Sequence, residues 1–189
     1  MAETVELLRQ VLPEGEEYAS DPTHDALADL VSSHIHTLSP RQIYLQGEVA
    51  VALYRRRPEF FETTAPPITV LWPTDPAESR FSAYHVVAYM AAHDSTNHLN
   101  LSNGPPGVAV ICHEDMAQRS REILLLAGYK TTLTLTTGLY SPVSMQSHTR
   151  TPLRYRLYDY LACIHMRLFG GTYMASIAPQ VPPKFRIGP

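Results

Sequence analysis

Apolar and polar positions switch between a period of two and a helical period along this chain, most clearly between Pro67 and Gly138. Ile68–Trp72 is a short apolar run closed by Pro73, as expected of a strand that a proline ends. Asp75-Pro76-Ala77-Glu78 is a helix start: an N-cap acid, a proline at the first position and a glutamate placed for a capping box. The helix it opens should run to about His93. It is apolar on nearly every side (Phe81, Tyr84, Val86, Val87, Ala88, Met90), so it is expected to be buried on more than one side. His98–Ser102 alternates like a strand with one wet face, and Asn103-Gly104-Pro105-Pro106 is turn chemistry. Gly107–Cys112 is apolar throughout, as in a strand covered on both faces. Glu114 and Asp115 open a second helix with acids at its positive end, Gly128 stops it, and Thr131–Thr137 alternates Thr with Leu. The order predicts an α+β fold with a ferredoxin-like βαββαβ core over residues 67–138, whose first and third strands lie in the middle of one sheet.

The flanks predict helices. Val5, Leu8 and Leu12 share one side of a short N-terminal helix. Asp21-Pro22 then caps a second one with Ala26, Leu27, Leu30, Val31 and Ile35 in a stripe. Ser39-Pro40-Arg41-Gln42 opens either one helix to about Arg57 or a strand, Ile43–Gln46, followed by a helix from Gly47. Pro58 to Pro67 reads as a loop. Pro152 starts a helix through Phe169 with Leu157, Leu161, Ile164 and Leu168 on one face, ending at Gly170-Gly171. Residues 179–189 are rich in proline and should be extended, in polyproline conformation where ordered. No linker or repeat divides the chain, so the expectation is a single domain of 189 residues with an acidic N-terminal segment and a proline-rich tail.

Charge changes the picture more than composition does. Residues 1–30 hold eight acids and one base, whereas residues 130–189 hold seven bases (Lys130, Arg150, Arg154, Arg156, Arg167, Lys184, Arg186) and one acid, Asp159. That split points to nucleic-acid contact by the basic third, or to one end docking on the other within or between copies. Arg150, Arg154, Arg156, Arg167, Lys184 and Arg186 are the candidate contact residues. No apolar run is long enough to span a bilayer, and the acidic start is unlike a secretory signal. Cys112 and Cys163 sit among apolar neighbours and read as buried thiols, so a cytoplasmic protein with no membrane partner is expected.

Candidate chemistry is sparse. His85, His93 and His113, with Asp94 and His98 nearby in sequence, are the residues closest to an acid–base cluster, yet no metal-ligand spacing joins them. Core or surface histidine is the simpler reading. His34-Ile35-His36 resembles the His-hydrophobic-His pair of rolling-circle nucleases, but that pair needs a strand, and here it ends a predicted helix where i and i+2 diverge. Gln46-Gly47-Glu48-Val49-Ala50-Val51-Ala52-Leu53, with Arg55–Arg57 and a later strand, resembles the nucleotidyltransferase superfamily, as do His113-Glu114-Asp115-Met116 and Arg156-Leu157-Tyr158-Asp159. The resemblance implies two metal-holding acids on the next strand, and Pro67-Ile68-Thr69-Val70 has none, so it implies an inactive relative that keeps nucleotide or RNA binding. Nucleophile elbows, phosphate-cradling loops and dinucleotide fingerprints are absent from the sequence. No metal or cofactor is expected. The leading expectation is a non-catalytic protein that binds or self-assembles as a homo-oligomer, in contact with nucleic acid through its basic third. The alternatives are a small-molecule enzyme with a His/Tyr-lined site and the inactive nucleotidyltransferase-like protein.

Overall fold

The computed structural model describes residues 21–62, 66–71, 83–94, 107–141, 150–177 and 185–187. The chain divides into two compact units, Met1–Trp72 with Pro183–Pro189, and Pro73–Pro182.

The first unit begins with α1, Pro22–Leu38, where Asp21 caps the helix by accepting from the Thr23 amide at 2.9 Å. Leu27, Ala28, Val31 and Ile35 form its buried face, and it closes at Ser39 in the left-handed region, whose amide reaches the Ile35 carbonyl at 3.0 Å. Strand β1, Ile43–Gln46, passes directly into α2, Gly47–Arg56, in which Val49 to Leu53 are all buried. A 3₁₀ turn, Pro58–Phe61, follows and buries Phe61 edge-on to Tyr54. Strand β2, Ile68–Leu71, is buried at every position and runs parallel to β1 with Ile43 opposite Ile68. Gln42 donates to Thr69 Oγ1 at 3.0 Å, which satisfies a hydroxyl on a residue only 1% exposed. The last strand, β5, Phe185–Ile187, joins the other side of β2 antiparallel, giving the order β1-β2-β5. Arg56 clamps Asp29 through both oxygens at 2.9 and 2.7 Å and so ties α2 to α1.

The second unit contains α3, Ala83–Asp94, which buries Val87, Ala88, Tyr89 and Met90. Strand β3, Gly107–His113, leads through a 3₁₀ turn, Glu114–Met116, into α4, Ala117–Leu126. Gly128 takes a φ of 84°, open to glycine at no steric cost, and lets Tyr129 N–H bond back to Leu124 O at 2.9 Å. Strand β4, Lys130–Thr137, then lies parallel to β3 in a two-stranded sheet. Helix α5, Pro152–Ile177, is 26 residues long, and α3, α4 and α5 contact one another.

The ferredoxin-like sheet is therefore not formed. The expected first strand pairs with Ile43–Gln46 and Phe185–Ile187, and the expected third and fourth strands pair directly and in parallel. The fold is α+β with two separate sheets, each containing a parallel β-α-β pair. The physical reason is the strand inside the segment 39–57: once Ile43–Gln46 leaves the helix, α2 is a crossover that delivers β2 beside β1. The expected second strand, His98–Ser102, and the helix start at Asp75-Pro76 lie outside the described residues. Gly107–Cys112 is a strand, but Ala109 is exposed and Val108, Val110 and Ile111 are half-buried, so it is not covered on both faces. The tail carries a strand at Phe185–Ile187 rather than a continuous polyproline stretch, and the last helix continues past Gly170-Gly171.

Candidate functional site

The carboxyl end of β3 gathers a group of ionisable side chains. Apolar β3 carries His113 into the interior, where its side chain is only 3% exposed. The chain turns there into the 3₁₀ segment, and His113 Nδ1 accepts the Asp115 amide at 3.2 Å, capping the turn with its own ring. That bond places the neutral ring's hydrogen on Nε2, a buried atom with no aligned hydrogen-bond partner among the described residues. Tyr140, just after β4, meets the ring edge-on, and Tyr155 of α5 lies tilted against it, both with centroids 4.6 Å away. Asp115 holds the rim, accepting from the Tyr140 hydroxyl on one oxygen and from Arg156 Nε at 3.2 Å on the other.

One turn further along α5, Asp159 faces Arg119 of α4 with Oδ1 3.1 Å from Nε, both side chains largely buried. The distance fits an ion pair, but the oxygen lies off the N–H direction, so the attraction is Coulombic rather than an aligned hydrogen bond. Arg119 also lies 5.4 Å over the Tyr158 ring. Cys163 Sγ donates to Asp159 Oδ2 at 3.7 Å.

Desolvation leads every shift in this buried group, always toward the neutral form. Burial lowers His113 against the opposing pull of Asp115, Glu114 and the Leu139 main chain. Burial pushes the Cys112 thiol up to about 11, with Ser120 as the main opposing partner, and raises Cys163 and Tyr155 too. Tyr140 rises to about 12 through burial and its bond to Asp115. Asp159 is raised by burial despite Arg119. Thiols and phenols held this far on the protonated side are poor nucleophiles and bases at neutral pH, which makes the cluster a polar knot joining β3, α4 and α5.

A pH dependence follows from His113. Its folded value lies below the ordinary 6.5, so as pH falls past 6.5 the unfolded chain takes up a proton before the folded one does. Stability is thus full above 6.5 and is lost on acidification down to the folded value, about 1.4 kcal/mol for each pH unit between the two. Urea unfolding between pH 7.5 and 5 should show this decline (roughly the interval over which an ordinary imidazole titrates). His113→Asn, which keeps an acceptor for the Asp115 amide, should flatten it. An equal slope in the variant would remove His113 as the cause.

Of the three histidines named together from sequence, His113 sits in this cluster. His85 is half-buried on α3, the side chain of His93 lies outside the description, and His34 and His36 lie on α1, with His34 Nδ1 3.0 Å from Leu30 O. Among the described residues no three His, Cys, Asp or Glu side chains are grouped to hold a metal. Of the basic residues, Arg156 is tied to Asp115, and Arg167 grips Glu122 at 3.2 and 2.7 Å, which lowers the Glu122 carboxyl. Arg150 and Arg154 are exposed, Lys184 is outside the described residues and Arg186 lies on β5. Arg119 and Asp159 do not stand out by sequence spacing. The available signal is that Asp159 is the only acid in residues 130–189.

A second feature is apolar. Every exposed large hydrophobic residue among those described falls between Leu125 and Phe169. Helix α5 turns Tyr155, Asp159, Cys163, Met166 and Gly170 inward, and Leu153, Leu157, Tyr160, Leu161, Ile164 and Leu168 outward. Leu153 is 79% exposed and Leu168 69%. No described helix is long and apolar enough to cross a membrane. No family model, curated protein or solved structure matches the chain.

Proposed function

We propose that the protein acts by self-assembly, with the outer face of α5 as the docking element and a second copy's α5 as its occupant. The observation that carries this reading is the exposed stripe Leu153, Leu157, Tyr160, Leu161, Ile164, Leu168 on the helix face away from the buried one. Isolated exposed apolar residues are ordinary, but a contiguous row over four turns marks an interaction surface.

The spacing of the row favours a second copy over another partner. Its steps are symmetric about a point between Tyr160 and Leu161, so a two-fold axis there pairs Leu153 with Leu168, Leu157 with Ile164, and Tyr160 with Leu161 in antiparallel helices. Arg154 then faces Arg167, whose charge Glu122 already offsets. Full cover is worth about 1.5–3 kcal/mol per large apolar side chain, and six from each copy stand against an association cost of about 4–15 kcal/mol. The ion pairs of Arg156 and Arg167 leave less free positive charge for nucleic acid than the sequence suggests, which places that reading second.

Sedimentation equilibrium of the full chain across micromolar concentrations is the test. A mass at or above twice 21.2 kDa that falls on dilution is expected. A constant monomer mass overturns the reading.

A further inference from the structure

The seven residues Thr131–Thr137 read Thr-Thr-Leu-Thr-Leu-Thr-Thr, the same in both directions about Thr134. They make up all of β4 after Lys130 and contain no charge, proline or glycine. Among the described residues β4 is bonded to β3 on one side and to no strand on the other. Edge strands ordinarily carry a charge, a proline or a bulge against pairing with another chain; this one has Lys130 at its start and a bulge at Thr132, which the register with β3 skips, and is regular from Leu133 to Thr137. Thr132, Leu133 and Thr136 are exposed.

We propose that the edge of β4 away from β3 is a second self-docking surface, which pairs antiparallel with β4 of another copy about a two-fold axis at Thr134. The palindrome is what selects a second copy. In that register Leu133 lies opposite the other copy's Leu135, Thr132 opposite Thr136 and Thr131 opposite Thr137, so every cross-strand pair joins like with like. The next pair sets exposed Lys130 opposite Gly138, which offers no side chain to collide with it. Glu114 lies beside that glycine, its Oε2 3.0 Å from where a Cβ would stand, so each Lys130 reaches a carboxylate on the other copy. The pairing goes beyond docking through α5, uses a different element and does not depend on it. If both operate, two unlike two-fold contacts join copies into an alternating string.

Disulfide trapping in the full-length chain tests the register, carried out with Leu157→Glu/Leu161→Glu present so that α5 contributes no contact. The native thiols Cys112 and Cys163 are buried and stay out of the reaction. Thr134→Cys is expected to link to itself under mild oxidation. Thr132→Cys is expected to link only when mixed with Thr136→Cys. Lys130→Glu should cut the trapped fraction about threefold, and adding Glu114→Lys should restore it. No link at Thr134, or self-linking of Thr132→Cys alone, overturns the antiparallel pairing. If trapping succeeds while the parent chain's mass is unaffected by the α5 substitutions, β4 pairing stands and docking through α5 falls.

Discussion

Replacing Arg119 by methionine should cost the folded protein about 3–5 kcal/mol at pH 7, the usual penalty for removing one partner of a buried ion pair. The cost comes from Asp159, which keeps its place on the inner face of α5, 8% exposed, with the Cys163 thiol as its one hydrogen-bond donor among the described residues. Its carboxyl is already raised above the ordinary 3.8 by burial, and Arg119 is the main influence holding it down. Without the guanidinium it rises further. A raised folded value means that the folded state takes up the proton first as pH falls, so the penalty is full at pH 7 and is relieved on acidification toward 3.8. Urea unfolding at pH 7 and pH 5 would measure both effects. Substituting both partners, Arg119→Met with Asp159→Leu, should return most of the lost stability, since a well-packed apolar pair replaces two desolvated charges at little net cost. A loss below about 1 kcal/mol in the single variant would mean that the pair is solvated rather than buried.

The parts of this fold that depend on a few adjacent residues were legible in the sequence. Asp21-Pro22 caps α1, Gly128 turns the chain after α4, and Pro152 opens α5, each through backbone chemistry contained in one turn. Strand partnership was not legible. Ile68–Leu71 is apolar at three of four positions and names no partner, and Ile43–Gln46, legible as a strand in one of two readings of its segment, names none either. Both βαββαβ and two separate β-α-β pairs satisfy the same local pattern, and contacts across 25 residues decide between them. The polar knot was half visible: Asp115 was noticed as a helix opener, and His113 as one of a loose group with His85 and His93. Their joining to Tyr140, Tyr155, Arg119 and Asp159 depends on α5 lying against β3 and α4, which no spacing encodes. The apolar face of α5 was read correctly as a face, because a helical stripe records the need for cover without recording what provides it.

That need is what makes the second large effect: Leu157→Glu with Leu161→Glu should remove the proposed α5 contact without unfolding the protein, lowering its mass at micromolar concentration toward the 21.2 kDa monomer. Both side chains are more than half exposed within one copy, so the substitution leaves the inner face of α5 intact and should alter folding stability by about 0.5 kcal/mol or less. In the two-fold arrangement Leu157 meets Ile164 and Leu161 meets Tyr160, so the same change places four carboxylates in an apolar seam, each costing several kcal/mol unless it is paired. A matched Leu157→Met/Leu161→Met chain keeps apolar bulk and should retain the parent mass. Tyr155→Ala is the opposite control: it removes the ring against His113 on the buried face, and should lower the melting temperature by itself. Sedimentation and thermal melting of these three chains separate surface from core. If residual pairing through β4 is strong, the mass should settle at a dimer rather than a monomer, and adding Lys130→Glu should then shift it toward monomer. A glutamate variant that keeps the parent's mass and dilution profile would show that this face of α5 is not where copies meet.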